Sequence, residues 1–326
     1  MIKWGILGTG KIAGKFAEDF RFVKNAELIA VGSRTEQSAV SFAKKYHIDK
    51  HYSSYELLAQ DPEIDAIYIS TPHNLHYENT LLCLNHGKSV LCEKPAAVNC
   101  HELKEMTTLA KTKGLFFMEA MWTWFLPPVI TAQQWIREGR LGKVELIKAD
   151  FGFRAPYEPE KRLFNPALAG GALLDVGIYP IAFSLLFAGA DVQHVEVRSS
   201  KAPTGVDMTD IYHLTFSNGV LADLSCSLGH SFTNDAYIYG SEGYIQLPIF
   251  WKSREAILKR YDNEEPLIFK DPRASEGYNF ETDEVNQILL SHKTESSIMP
   301  PSKSLELLSV MDRIREQTDL KYPFEV

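Results

Sequence analysis

The segment Gly170-Gly171-Ala172-Leu173-Leu174-Asp175-Val176-Gly177-Ile178-Tyr179-Pro180 carries two side chains suited to proton transfer. On a helix Asp175 and Tyr179 stand at i and i+4, so one face presents a carboxylate and a phenol to the same space. A phenol can act as acid or base toward a substrate hydroxyl. Its ordinary pKa of about 10 is too high for that at neutral pH unless a cation lies close by. Lys94, in Glu93-Lys94-Pro95, is the obvious supplier. The residues alone leave two alternatives open: Lys94 as a solvated loop lysine, and Asp175 and Tyr179 as buried groups satisfying backbone.

A second chemistry sits at the start of the chain. Gly8-Thr9-Gly10-Lys11-Ile12-Ala13 follows an apolar strand and opens a helix whose Ile12, Phe16 and Phe20 share a face. In that context the first glycine makes the turn, the second lets backbone approach a pyrophosphate, and Ala13 permits close helix-to-strand packing. Gly8, Thr9, Gly10, Lys11 and Ile12 are therefore expected to bind a dinucleotide, with its pyrophosphate at the helix N-terminus. The tip of the next strand reads Gly32-Ser33-Arg34-Thr35, a guanidinium and hydroxyls where an NAD enzyme usually has an acid. Ser33 and Arg34 thus favour NADP(H) over NAD(H). The other reading of Arg34 is a surface loop residue or one stacked on adenine.

These groups need a frame that brings strand ends together. Ile2 to Leu7, Leu28 to Gly32, Ala66 to Ser70, Ser89 to Cys92 and Leu115 to Met118 read as strands separated by amphipathic stretches, the pattern of a parallel sheet covered by helices. Ligands bind beyond the carboxyl ends of such strands. Thr71-Pro72-His73-Asn74-Leu75-His76 and Glu93-Lys94-Pro95 fall at those ends, making Thr71, Pro72, His73, Asn74, His76, Glu93 and Lys94 candidates for the cofactor site. For His73 and His76 a surface or helix-capping role is an equal alternative. Beyond residue 142 the strands lengthen and alternate, and Asn218-Gly219 predicts a tight hairpin through positive φ angles. The expected architecture is an α/β Rossmann domain over 1–120 and, over 121–326, an α+β domain with an open, predominantly antiparallel sheet.

Composition excludes several classes. A chain of 326 residues with 45% hydrophobic and 23% charged residues is globular, and 34 basic against 42 acidic side chains offer no footprint for nucleic acid or anionic membrane. Cys83, Cys92, Cys100 and Cys226 show no C-x-x-C spacing, and no signal-peptide pattern opens the sequence; the expectation is a reduced, cytoplasmic protein. The apolar run from Leu163 to Ala190 is interrupted by prolines and glycines and reads as a buried helix rather than a membrane span. That makes Asp175 costly unless something satisfies it. His47, His51, His73, His76 and His86 form no metal-ligand pattern, so no metal is expected and these read as surface and loop histidines.

Gly8-x-Gly10-x-x-Ala13, Thr71-Pro72-His73-Asn74-x-His76, Glu93-Lys94-Pro95 and Gly171-x-x-x-Asp175-x-Gly177-x-Tyr179, in this order, resemble the Gfo/Idh/MocA oxidoreductase family over essentially the whole chain. Met118-Glu119-Ala120-Met121-Trp122-Thr123 and Arg162-Leu163-Phe164-Asn165-Pro166 are most similar to its branch of dimeric dihydrodiol and NADP-dependent D-xylose dehydrogenases. The resemblance implies Lys94 beside the nicotinamide, Tyr179 as general acid/base with Asp175 and His76 near it, and Trp122 and Phe153 lining a substrate pocket. It also implies a homodimer through the second domain's sheet and a small sugar, polyol or diol as substrate. The branch usually reads Trp-Thr-Arg-Phe where this chain has Trp122-Thr123-Trp124-Phe125, a departure that touches substrate choice more than reaction type. A non-catalytic NADP-binding sensor is the alternative within the same fold, but Lys94 and Tyr179 are both retained.

Overall fold

Six short strands, most of them continuous apolar runs buried on both faces, build the N-terminal sheet. They are β1 (Ile2–Leu7), β2 (Ala26–Gly32), β3 (Lys50–Tyr52), β4 (Ala66–Ile69), β5 (Ser89–Glu93) and β6 (Phe117–Ala120), all parallel in the order β3-β2-β1-β4-β5-β6. This is the doubly wound order, whose crevice opens where the chain reverses beside β1. The edge strand β3 is an addition to the expected set; with three residues, none fully buried, it carries too little pattern to read. The helices α1 (Lys11–Asp19), α2 (Glu36–Tyr46), α3 (Tyr55–Gln60), α4 (His76–Asn85) and α5 (Cys100–Lys113) connect the strands. Phe16 of α1 stacks on Tyr68 of β4 at 3.8 Å between ring centroids, which seats α1 on the sheet.

The computed structural model describes residues 1–262 and 264–325. They divide into one unit of Met1–Trp122 with Ala274–Leu305 and another of Thr123–Arg273 with Glu306–Val326. The assignment of all of 121–326 to the second domain is thereby corrected: a late stretch returns to the first. A buried carboxylate ties it there. Asp19 accepts the backbone N–H groups of Glu276, Gly277 and Tyr278 at 2.7–3.0 Å and so holds the start of the helix Tyr278–Leu290. Asn286 of that helix accepts from the Trp4 indole at 2.9 Å.

The second unit contains α6 (Pro127–Arg137), β7 (Val144–Gly152), α7 (Ile178–Ala188) and strands β8 (Val192–Lys201), β9 (Asp207–Phe216), β10 (Leu221–Ser227), β11 (Ala236–Gly240), β12 (Gly243–Leu247), β13 (Glu255–Arg260) and β14 (Leu267–Lys270). Their sheet runs β14-β13-β12-β11-β7-β10-β9-β8, antiparallel at every pairing except β7 with β10. Alternate residues such as Ile147, Ala149, Tyr212, Leu214, Leu224, Cys226, Ile238 and Ile245 are buried, as one covered face requires. The hairpin between β9 and β10 differs in detail from expectation. Only Gly219 takes a positive φ, 87°, and Phe216 N–H bonds to Val220 O at 2.9 Å across a three-residue loop. The apolar stretch Pro166–Ala188 is packed inside this unit, as a core helix is.

Candidate active site

In the first unit Gly8 adopts φ +110°, and a Cβ there would meet Ser70 Oγ at 2.9 Å, so the turn admits only glycine. Gly10 is different: a Cβ would meet nothing closer than 4.0 Å and would project into open space. Gly10 is also the N-cap of α1 without a side-chain cap, leaving first-turn N–H groups for an anion. Thr9 and Ser33 hydroxyls lie 3.2 Å apart and tie the loop to the tip of β2.

A pocket of about 310 Å³ follows from this arrangement, lined by Gly8, Thr9, Gly10, Ser33, Arg34, Thr35, Ser38, Tyr55, Ser70, Thr71 and Pro72. It contains one guanidinium, several hydroxyls and no carboxylate, a donor set that fits a phosphorylated dinucleotide. Thr35 caps α2 through the Ser38 N–H and donates to the Ser38 hydroxyl at 2.8 Å. Sequence reasoning missed Ser38 and Tyr55. Ser38 was within reach of such reasoning, one turn beyond Arg34 on the same helix start; for Tyr55, at the start of α3, only the fold supplies the proximity. Lys11 and Ile12 open α1 and do not line the pocket.

The loop bearing Lys94 is held at three points. The Tyr68 hydroxyl donates to the Glu93 carboxylate, the ring of His76 meets Pro95 O at 2.7 Å, and the Glu119 carboxylate accepts Ala96 N–H at 2.8 Å. The other ring nitrogen of His76 lies 2.7 Å from Thr71 O, so this side chain joins the two strand-end loops. The expectation of a surface or loop histidine is therefore corrected for His76, which is fully buried. Glu93 likewise turns its carboxylate into the sheet. Burial pushes Glu119 up to about 7, against the Ala96 N–H and Lys94, which favour its charged form. Glu281 from the late helix is fully buried, and burial with the nearby Glu93 charge drives its carboxyl well upward. Lys94 itself is partly exposed, His73 buried and Asn74 partly buried. Trp122 stacks on Tyr278 at 4.7 Å.

In the second unit the regular helix expected across Asp175 and Tyr179 is replaced. Leu173–Gly177 form a π-helical turn that leads into α7, so Asp175 sits on the wider turn and Tyr179 in the first turn of α7. Such turns occur frequently at functional sites. Asp175 is satisfied by Arg162 at 2.8 Å, which answers the cost of a carboxylate in an apolar stretch. The sequence marks Arg162 through its family motif but does not pair it with Asp175. The two lie 13 positions apart with loop between them, and no periodicity signals the contact.

Tyr179 is 7% exposed, and its ring lies 5.3 Å from Phe151 and 6.2 Å from Trp251, with Phe151 stacked on Trp251 at 4.8 Å. Phe153 follows β7 and is half-buried, 6.5 Å from Phe151. Sequence reasoning missed Trp251, since nothing in its neighbourhood along the chain marks it. Its carbonyl accepts the Thr123 hydroxyl at 2.8 Å, placing the segment around Trp251 against the start of this unit. Each unit thus holds part of the expected set: the dinucleotide loop, Glu93 and Lys94 in the first, Asp175 and Tyr179 in the second.

A parallel sheet in doubly wound order and a glycine turn opening onto a cationic, hydroxyl-lined pocket are the features of a dinucleotide-binding fold. Residues 2–121 match the oxidoreductase family with an NAD-binding Rossmann fold, and residues 129–246 match the GFO/IDH/MocA C-terminal domain. The chain belongs to the Gfo/Idh/MocA family. It is 35% identical to trans-1,2-dihydrobenzene-1,2-diol dehydrogenase of Bos taurus over 99% of this chain and 98% of that one. The human protein of the same name is also 35% identical, over 99% and 98%. A 3-ketoreductase from Actinomadura kijaniata, solved with NADP and TDP-benzene, shares the fold with a TM-score of 0.87 at 25% identity, covering 97% of each chain. Aldose-aldose oxidoreductase from Caulobacter crescentus shares it with a TM-score of 0.89 at 23% identity, covering 98% and 97%. The class is that of dehydrogenases acting on CH–OH donors.

Proposed function

We propose that this protein is an NADP-dependent dehydrogenase exchanging hydride between C4 of the nicotinamide and a carbinol carbon of a sugar or cyclic dihydrodiol. The observation that carries the reaction type is the Tyr179 phenol, enclosed by Phe151 and Trp251 and preceded by the ion-paired Asp175. Arg34 with the hydroxyls of Ser33, Thr35 and Ser38 supports the 2′-phosphorylated coenzyme, and the Actinomadura structure was solved with NADP. Residues Gly8, Thr9, Gly10, Ser33, Arg34, Thr71 and Pro72 would hold the coenzyme, which when bound supplies the hydride acceptor or donor. Tyr179 Oη takes the hydroxyl proton as the carbinol is oxidised and returns it in the reverse direction. The family resemblance gives Lys94 the part of favouring the phenolate, and Asp175 keeps the turn oriented through Arg162. Trp122 and Phe153 contribute apolar walls for the carbon skeleton.

Reduction of NADP⁺ by the purified protein, measured against aldoses, inositols and trans-dihydrodiols, tests the reading. Turnover on at least one class is expected; tight NADPH binding with no turnover on any would replace it with a coenzyme sensor. We further propose a homodimer through the uncovered face of the second unit's sheet. That face exposes Ile211 and Leu221 by 45% and 50% and carries the adjacent rings of Tyr237, Tyr239 and Tyr244. Sedimentation at micromolar concentration should give a dimer, and a clean monomer would refute it.

A further inference from the structure

Two carboxyl groups that the proposed reaction does not use lie beneath the turn that carries Asp175 and leads to Tyr179. Asp207 and Asp210 are each 1% exposed, three positions apart on β9, and each perturbs the titration of the other. Asp207 Oδ2 accepts the N–H of Leu173, first residue of the π-helical turn, at 2.5 Å. Asp210 Oδ2 accepts the Tyr212 hydroxyl at 2.8 Å. The remaining oxygen of each, Oδ1, is buried and receives no hydrogen bond from any donor among the described residues. Two facing carboxylates repel, whereas a carboxylic acid and a carboxylate attract through one proton.

The turn is shaped around this pair. Gly171 has φ +124°, and a Cβ there would stand 2.1 Å from Asp207 Oδ1; a Cβ on Gly177 would stand 2.7 Å from the Tyr212 hydroxyl and 3.0 Å from Cys226 Sγ. Gly171 thus allows close approach to Asp207, and Gly177 close approach to Tyr212, whose hydroxyl donates to Asp210. Tyr322 adds a third tie by donating to Gly170 O at 3.0 Å. The titratable groups facing the pair are Tyr212, Cys226 and Tyr322, all driven upward by burial and so neutral. Arg315, over the Tyr322 ring at 4.8 Å, is ion-paired with Glu325. Ser199 completes the polar surroundings of Asp210.

We propose that Asp207 and Asp210 share one proton and act as the positioning unit that fixes the turn Leu173–Gly177 and, through it, the Tyr179 hydroxyl. The positioning part rests on the role of Tyr179 proposed above; the shared proton does not. Burial raises both carboxyl groups above their ordinary range; the charge of Asp210 drives Asp207 up further, while hydrogen bonds from Ser199, Asp207 and Tyr212 hold Asp210 back. The native state thus binds more protons than the unfolded chain between a pH of about 4 and the raised values, and stability contributed by the pair falls as pH rises through that window.

Infrared difference spectra at pH 8 between the wild type and Asp207→Asn test the proton without turnover. The wild type should show the carbonyl band of a neutral carboxylic acid that the variant lacks, and the variant's unfolding midpoint should fall less between pH 4 and 8. Identical acid bands would overturn the shared proton. Asp207→Asn keeps an acceptor for Leu173 N–H and donates its amide to Asp210, so kcat should stay within about threefold at neutral pH. Asp207→Ala removes the tie and should lower kcat at least tenfold with KM and NADPH affinity little changed. An unchanged kcat in Asp207→Ala would overturn the positioning role. If the alanine variant does not fold, Gly177→Ala replaces it with the same expected split. A wild type with the acid band but no turnover would retain the proton while removing the Tyr179 reading.

Discussion

Tyr179→Phe lowers kcat by roughly 10²- to 10⁴-fold, the range for loss of one general acid/base, and leaves NADPH affinity intact. In barrier terms this is about 2.7–5.5 kcal/mol, larger than one neutral hydrogen bond to the coenzyme supplies. The effect should be confined to chemistry because the substitution removes only the hydroxyl. The ring keeps its packing against Phe151 and Trp251, so neither the core nor the turn Leu173–Gly177 has reason to move. The coenzyme pocket lies in the other unit and does not include Tyr179. Steady-state kinetics and NADPH fluorescence titration on the same preparation separate the two quantities. A variant with wild-type turnover would remove Tyr179 from the mechanism.

Arg34→Ala weakens NADPH binding by roughly 10- to 150-fold, the equivalent of about 1.5–3 kcal/mol for a charge-assisted hydrogen bond, and leaves NADH nearly unchanged. Arg34 is exposed at the mouth of the pocket, so its pairing with a phosphate is screened and the loss should shrink as salt rises. Ser33, Thr35 and Ser38 remain to hold part of the phosphate in the variant, which sets the lower end of the range. Equal losses for both coenzymes, insensitive to salt, would mean that Arg34 stacks on adenine and does not read the 2′-phosphate.

Much of the first unit was legible because its strands are buried on both faces. In β4 and β5 every residue is buried, and such runs stand out without periodicity. The glycine loop was readable because its backbone asks for glycine: Gly8 has a positive φ, and Gly10 faces open space. The second sheet was legible through alternation as far as β12. Strands β13 and β14 were not: β13 buries only Ala256 and Leu258, and in β14 Leu267 and Ile268 are exposed at the sheet's edge and break the inward-outward pattern.

The site was legible as residues rather than as contacts. Asp175 could be flagged as needing a partner from its apolar surroundings alone, yet its pairing with Arg162 was identifiable only in the fold. The clasp of Glu119 on Ala96 and the bridge of His76 between Thr71 and Pro95 span loops on different strands, and such pairings leave no local trace. Helical periodicity also misreported one element. A π-helical turn has the same apolar residues as an α-helical one, and the contacts that accompany the wider turn, Asp207 against Gly171 and Tyr212 against Gly177, come from a distant strand.

Hydride transfer between a carbinol carbon and the NADP nicotinamide is tested most directly with a substrate deuterated at the carbinol carbon. The reduced coenzyme is recovered and its C4 position read by NMR or mass spectrometry. Deuterium at C4 in the wild type, and little reduced coenzyme from Tyr179→Phe over the same interval, is the predicted result. Reduced coenzyme carrying only solvent-derived hydrogen at C4, or none formed from any sugar or dihydrodiol, would contradict it.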